Sequence, residues 1–545
     1  MKRVFTLTPY VVAVAGLVYL ASQPKAATVS PLADVMMPAA AAVACDTLAG
    51  TKIANTEITS AKVVTGSFTA PGGGRGARPI ENLPSFCAVH GIIKPTPASV
   101  IHFEAWLPEN NWNGRLQVIG NGGLAGTIGY AGMATALREG SATASTDTGH
   151  TSSDPTTWLQ DREKVIDYSY RGLHLTTDAT KTLIKAYYSQ PQKYAYYSGC
   201  STGGKQGLME AQRYPADFDG ILAGDAANYW THQMTSEVWN GVVTSSPETN
   251  LPREKLQYVQ DTVLAACDKL DGAADGLIAD PLRCKFNPDT LKCNGADGPN
   301  CLTPPQLDAL KKVYSGPMNP LNGKNIYPGM YPGNEMGWAS GTVINRTTTS
   351  GVSSNTFWSI AVLKNPNWQF RTMDFAADVE RADKELAGMM NATDANLEEF
   401  RRLGHKLVYY HGAADPLIPA QNGVNYYESV VAAQKGLDKT QTFFRAFLVP
   451  GLYHCSGGPG PTAFGTNGDL PAGQNDADHH IGKALQRWVE SGTAPAKVIA
   501  TRYVDGDAAK GVAFQRPLCP YPQSAMYKGS GDVNDAANFS CVVAK

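Results

Sequence analysis

The stretch Tyr194-Ala195-Tyr196-Tyr197-Ser198-Gly199-Cys200-Ser201-Thr202-Gly203-Gly204 decides the fold. Its aromatic first half reads as a short strand that stops at Gly199, and residues 203–213 read as a helix. Ser201 therefore stands on a sharp strand-to-helix turn, flanked by glycines in a Gly-x-Ser-x-Gly pattern. A serine hydroxyl is a weak nucleophile until a base takes its proton, and such a turn holds it clear of the backbone. The five residues alone also fit an ordinary turn. The strand before them and the helix after them select the nucleophile reading.

Outward from this turn, residues 101–107 and 115–119 read as strands, and 168–188 reads as a helix. Residues 406–410 and 445–449 are further buried-strand patterns, and 481–489 is a late helix. Alternating strands and helices imply an α/β fold with a mostly parallel sheet covered on both faces. The segment 228–398 breaks the alternation with many Asn, Pro, Gly and Trp residues and is read as an inserted lid. This gives a first core part at 28–227 and a second at 399–545. Trp338, Phe357, Trp358 and Trp368 are candidates for an apolar wall against a substrate, or for the interior of the insert itself. Arg346 is a candidate contact for a substrate carboxylate or phenol.

In a fold of this kind the nucleophile is followed along the chain by an acid and then a histidine. The strand ending at Tyr410 runs into His411-Gly412-Ala413-Ala414-Asp415-Pro416, and the next ends at Pro450-Gly451-Leu452-Tyr453-His454-Cys455. Asp415 and His454 therefore lie on post-strand loops, where an orienting acid and a general base belong. His411, His479 and His480 are rivals for the base, and Asp469, Asp476 and Asp478 for the acid. Oxyanion donors are expected from the N–H of Thr202 and of Gly122 or Gly123, in the glycine-rich loop after Ile119. Cys200 precedes the proposed nucleophile and Cys455 follows the proposed base, so contact between the two loops would bring these cysteines within bonding range.

The chain has 545 residues and a net charge of −2, with no lysine-arginine block, so nucleic acid is not an expected partner. Residues 1–27 carry Lys2, Arg3 and a short apolar run, and read as a signal peptide for a secreted or periplasmic protein; nothing later reads as a membrane span. The ten cysteines then imply disulfides, and short spacing favours Cys267 with Cys284, Cys293 with Cys301, and Cys519 with Cys541. The run Asp268-Lys269-Leu270-Asp271-Gly272-Ala273-Ala274-Asp275-Gly276-Leu277 crowds three carboxylates that repel one another unless a cation compensates. Asp268, Asp271 and Asp275 with the carbonyls of Ala273 and Leu277 form a candidate Ca2+ cage, although the spacing is not that of an EF-hand. A solvated acidic turn is the other reading.

The Cys200-Ser201, Asp415, His454-Cys455 constellation and the Asp268–Gly276 run resemble the tannase and feruloyl esterase family, which includes mono(2-hydroxyethyl) terephthalate hydrolases. The resemblance spans most of the chain, from Cys45 to Cys541. It implies an α/β-hydrolase core with an inserted lid, a small aromatic ester as substrate, no organic cofactor and a structural Ca2+. It also implies five disulfides, adding Cys45–Cys87 and Cys200–Cys455 to the three pairs above. Hydrolysis of a terephthalate monoester, peptidase or lipase activity, and an inactive calcium-binding interaction protein are the alternatives. Sequence leaves the particular ester and the oligomeric state open.

Overall fold

Short apolar runs separated by glycine-rich turns assemble into one nine-stranded sheet. The strands are β1 (Thr56–Phe68), β2 (Ile80–Ile93), β3 (Ile101–Pro108), β4 (Arg115–Ile119), β5 (Ala142–Thr146), β6 (Tyr194–Cys200), β7 (Gly220–Gly224), β8 (Lys406–Gly412) and β9 (Phe444–Val449). Their order is β1-β2-β3-β5-β4-β6-β7-β8-β9. The half from β5 through β4 to β9 is parallel, and the half from β1 through β3 to β5 is antiparallel. The computed structural model describes residues 43–71, 78–124, 126–339, 344, 353–466 and 475–543. The signal-peptide segment, Arg346 and Asp469 lie outside them.

The mostly parallel α/β sheet expected from the sequence is present. Its antiparallel edge is an addition. β1 carries mainly polar, exposed positions, as suits an edge strand, so its apolar periodicity is weak. β7 escaped notice for a different reason. Gly220-Ile221-Leu222-Ala223-Gly224 is short and ends in glycines, yet every residue of it is buried between neighbours on both sides.

The strand-turn-helix reading of residues 194–213 holds closely: β6 is followed by the helix Thr202–Arg213, of which all residues from Thr202 to Ala211 are buried. Small residues make this possible. A Cβ at Gly204 would lie 2.1 Å from the carbonyl oxygen of Gly224, so only glycine lets the helix settle onto the end of β7. The helix over 168–188 also forms, but its first turn, Asp167–Arg171, is a π-helical segment running into Gly172–Tyr188.

Between β7 and β8 the described residues add no strand to the sheet. They form helices instead, among them Trp230–Thr244, Arg253–Cys267 and Pro304–Ser315. After β9 come the helix Ile481–Ser491 and two antiparallel ribbons, β10 (Val498–Tyr503) with β11 (Val512–Leu518) and β12 (Gln523–Tyr527) with β13 (Phe539–Val543). All five disulfides named above form: Cys45–Cys87, Cys200–Cys455, Cys267–Cys284, Cys293–Cys301 and Cys519–Cys541. No helix among the described residues is long and apolar enough to cross a membrane.

Candidate active site

β6, β7, β8 and β9 are neighbours in the sheet, and each delivers a polar residue at or just beyond its C-terminal end: Ser201, Asp225, Asp415 and His454. Parallel strands put those ends on one edge, which is where open α/β sheets collect their chemistry. Ser201 has φ 65° and ψ −119°, a backbone state that side chains other than glycine's rarely adopt. Its N–H donates to the carbonyl of Gly224 at 2.9 Å, which holds the turn against β7. The flanking glycines are sterically required. A Cβ at Gly199 would meet Gly203 Cα at 2.8 Å, and one at Gly203 would meet the Asn121 carbonyl at 2.9 Å.

Ser201, His454 and Asp415 form a continuous hydrogen-bonded chain. Ser201 Oγ lies 2.9 Å from His454 Nε2, and His454 Nδ1 lies 2.7 Å from Asp415 Oδ2. The other carboxylate oxygen of Asp415 accepts the N–H groups of Leu417 at 2.7 Å and Ile418 at 3.0 Å, so the acid is aimed by its own loop. Burial opposes a charge on His454, but the Asp415 carboxylate outweighs it, with smaller contributions from Asp225 and Glu237. The imidazole is pushed up to about 9. Burial likewise opposes ionisation of Asp415, yet the two histidines beside it, His454 and His411, hold its carboxyl well below the usual range. The chain can therefore take a proton from Ser201 and hold it as an ion pair, as nucleophilic acyl transfer needs.

The rivals stand elsewhere. His411 is fully buried beneath the chain, with Nδ1 bonded to the Tyr409 hydroxyl and Nε2 donating to the Ile418 carbonyl at 2.9 Å. His480 Nδ1 caps the helix Ile481–Ser491, His479 pairs with Asp476, and Asp478 pairs with Arg487.

The loop after β4 packs against the start of the Thr202–Arg213 helix. Asn121 N–H donates to Gln206 Oε1 at 3.0 Å, and the hydroxyls of Tyr168 and Thr202 both donate to the Gly123 carbonyl at 2.8 Å. Gly122 is thus pinned from both sides and open to solvent. Gly122, Gly123, Thr202, Ser201 and His454 line one cavity of about 1300 Å³, whose apolar wall is formed by Trp230, Met234 and Leu417. The sequence candidates for that wall are not in it. Trp338, Phe357, Trp358 and Trp368 are all buried within the insert, where Trp358 Nε1 donates to the Met234 carbonyl from behind. Trp230 and Met234 sit in the first turns of the helix Trp230–Thr244 and are not among the sequence candidates for the wall. Asp225 was missed because the strand before it was.

Cys200 and Cys455 are bonded, with Cα atoms 6.0 Å apart across 255 residues, so the expected covalent tie between the Ser201 and His454 loops exists. In the acidic loop, Asp268 Oδ1 accepts the N–H groups of Asp275 and Gly276, Asp271 Oδ1 that of Ala273, and Asp275 Oδ1 that of Leu277. Arg516 from β11 pairs with the other oxygen of Asp275. Burial, then the charges of Asp275 and Asp268, push the Asp271 carboxyl up to about 6. Asp268 is raised as well, by burial and by Asp275. Arg516 is paired with Asp275, Arg283 donates to the Leu270 carbonyl, and neither bonds to Asp268 or Asp271. The donor set of carboxylates and peptide carbonyls fits a hard cation. In this arrangement the three carboxylates are not among the groups whose ligand atoms converge within 4.8 Å.

A serine, an aspartate and a histidine hydrogen-bonded in the turns after β6, β8 and β9 of a mostly parallel sheet mark an α/β-hydrolase fold. A family model for tannase and feruloyl esterase matches residues 87–542. The chain is 38% identical over 544 residues to an uncharacterised esterase of Xanthomonas campestris pv. campestris, covering 94% of each chain. It is 33% identical over 462 residues to a probable feruloyl esterase B-2 of Aspergillus terreus, covering 84% of this chain and 86% of that one. The crystal structure of feruloyl esterase B from Aspergillus oryzae matches with a TM-score of 0.85 at 29% identity, over 92% of this chain and 100% of that one. The chain belongs to the tannase and feruloyl esterase family and is a carboxylic ester hydrolase.

Proposed function

We propose that the protein is a secreted serine esterase that hydrolyses esters of phenolic or related aromatic acids through an acyl-enzyme. The observation that carries this reading is the Ser201–His454–Asp415 chain opening into a cavity walled by Trp230 and Met234. His454 takes the proton of Ser201 as its oxygen attacks the ester carbonyl. The N–H groups of Thr202 and of Gly122 or Gly123 stabilise the oxyanion. The alcohol leaves with the proton from His454, and water, activated by the same histidine, then releases the acid. Asp415 fixes the tautomer of His454 and stabilises its charged form throughout. Five disulfides support an oxidising compartment.

A Ca2+ ion held by Asp268, Asp271 and Asp275 with the carbonyls of Ala273 and Leu277 is part of the same proposal. Its role there is to neutralise the loop, with no part in the ester chemistry. The loop is bracketed by Cys267–Cys284 and packs Ala273 against Cys519, Ala525 and Phe539 of the C-terminal ribbons, so a neutralised loop stabilises that junction.

The test is a panel of feruloyl, galloyl and terephthalate monoesters, with peptide and long-chain esters as controls, ranked by kcat/KM. Preference for the phenolic esters is expected. A ranking led by the terephthalate monoester moves the protein to that branch of the family, and one led by long-chain esters overturns the aromatic assignment. In parallel, Ser201→Ala should lose turnover by at least about a thousandfold while the fold is retained. Substantial hydrolysis by that variant would exclude Ser201 as the nucleophile. Wild-type protein inert on the whole panel would instead favour the calcium-binding, non-catalytic alternative.

A further inference from the structure

We propose that Asp225 is a positioning residue whose single carboxylate holds the acid-bearing and base-bearing turns in register behind Ser201. The proposal rests on the reading of Ser201, Asp415 and His454 given above. Asp225 follows β7, the strand between the nucleophile strand β6 and the acid strand β8, and its side chain is fully buried. One oxygen, Oδ1, accepts the N–H of Gly412 at 2.6 Å, three residues before Asp415. The other, Oδ2, accepts the N–H of Cys455 at 2.9 Å, the residue after His454. The N–H of Asp225 itself donates to the Tyr410 carbonyl at 2.9 Å. Three segments distant in sequence thus meet on one side chain, because the Cys200–Cys455 disulfide lies against the same carboxylate.

The backbone shows that this placement is held by its surroundings. Asp225 has φ 39°, in the left-handed region that favours glycine, in a turn where Ala226 and Ala227 are also buried. A non-glycine residue persists there only when its contacts over-determine it. The two peptide N–H groups supply those contacts.

Charge adds a second consequence. His411 Nε2 lies 3.7 Å from Asp225 Oδ1 and 3.6 Å from Asp415 Oδ2, so the buried histidine stands between the two carboxylates. The groups facing Asp225 are His411, Tyr409 and Tyr410 from β8, Asp415 from the turn beyond it, and His454 from the turn after β9. Burial and the Asp415 charge push Asp225 up to about 6, against the opposing histidines and the Gly412 N–H. Above that pH it is a second negative charge behind His454, which Glu237 of the insert also faces. Asp225 therefore contributes both alignment and field.

Two substitutions separate these effects. Asp225→Asn keeps the shape but removes the charge and one acceptor oxygen. It should lower kcat about 10- to 100-fold with KM within about twofold, because the loss is one of alignment in the reacting complex. Its acid limb in kcat/KM should move to lower pH by at least about half a unit, since His454 loses a neighbouring carboxylate. Asp225→Glu keeps the charge in a slot one methylene too small. It should also lose kcat, with the limb unmoved. An Asn variant with kcat within threefold of wild type and an unmoved limb overturns the proposal. Two variants that both fail to reach the native circular dichroism spectrum also overturn it, by making Asp225 a folding element. Ser201→Ala assayed alongside keeps the outcomes apart: turnover surviving there refutes the reading of the site, whereas its loss leaves the Asp225 result to be judged alone.

Discussion

The sheet edge at β6 to β9 and the insert between β7 and β8 solve the same problem, holding polar groups in place, by opposite means. At the sheet edge, residues far apart in the chain are brought together by strand order and locked by buried hydrogen bonds, with one disulfide closing 255 residues. In the insert the crosslinks are local, closing 17 and 8 residues, and the helices pack around an aromatic interior that includes Phe357, Trp358 and Trp368. The first arrangement ties each group to several segments distant in sequence. The second builds a wall whose shape can vary without disturbing the chemistry below.

The most severe break in the first arrangement is loss of its acid. Asp415→Asn leaves the loop bonds of the side chain to Leu417 and Ile418 available but presents the wrong partner to His454 Nδ1. The expected loss in kcat is about a thousandfold or more, by analogy with tautomer-disrupting substitutions in other triads. The pH dependence gives the sign. With Asp415 present, His454 stays protonated up to about 9, so kcat/KM should rise with pH across the neutral range. In the Asn variant burial is left less opposed, and whatever activity remains should reach its plateau at lower pH. A pH profile whose acid limb stays in place would show that Asp415 does not set the charge of His454.

Next in size is the disulfide contrast. The chain-entropy account assigns about 5 kcal/mol to a bond closing a loop the length of Cys200–Cys455 and about half that to Cys293–Cys301. Replacing the first pair with serines should therefore destabilise more in denaturant unfolding, and should also lower kcat because both reacting loops lose their tie. Replacing the second pair should cost stability alone. Equal losses of kcat from both pairs would erase the distinction between the two regions.

How far the sequence revealed each region follows from the same contrast. Ser201, Asp415 and His454 were legible because parallel strands announce themselves as apolar runs, and all three lie in the turns that follow such runs. Asp225 obeys the same rule, but its strand is five residues long and ends in glycines, so the run carried too little signal. The insert was recognisable only by the absence of that rhythm. Its aromatic residues could be counted, but which of them face the cavity depends on helix packing with no sequence period to read. Both Trp358 and Trp230 are buried, but only Trp230 lines the cavity. The acidic loop was legible as a charge cluster, whereas its pairing with Arg516, some 240 residues later, was not.

Removing divalent cations sharpens the contrast from the insert side. Burial and mutual charge raise the Asp268 and Asp271 carboxyls in this loop, which sits where the insert meets the C-terminal ribbons. Chelation should lower the melting temperature, by several degrees if the ion contributes about 2–3 kcal/mol at saturating concentration. Added calcium should restore it, and kcat measured well below the transition should stay unchanged. An unaltered melting temperature, with no metal in the purified protein, would count against the cation.

The smallest effect lies where the two regions touch. Lys205, one turn after Ser201, is fully buried, and its ammonium lies 4.4 Å from the Tyr168 ring centroid and 4.6 Å from that of Trp230, the first residue of the insert helix. Nζ has no hydrogen-bond partner among the described residues, and burial pushes its pKa down to about 7. In the unfolded chain a lysine titrates near about 10.4, so between these values the unfolded state binds the extra proton and stability rises with pH. The two rings offset part of that cost by attracting whatever charge remains, an effect of about 1–2 kcal/mol in a desolvated site. Lys205→Met should accordingly stabilise the protein at pH 7 by about 1–3 kcal/mol, and the gain should shrink towards about pH 11, above the lysine's folded and unfolded pKa values alike. Unfolding curves at the two pH values decide it. Destabilisation at pH 7 would mean that the rings hold a full cation there, and that the contact between the nucleophile helix and the insert depends on charge rather than on packing.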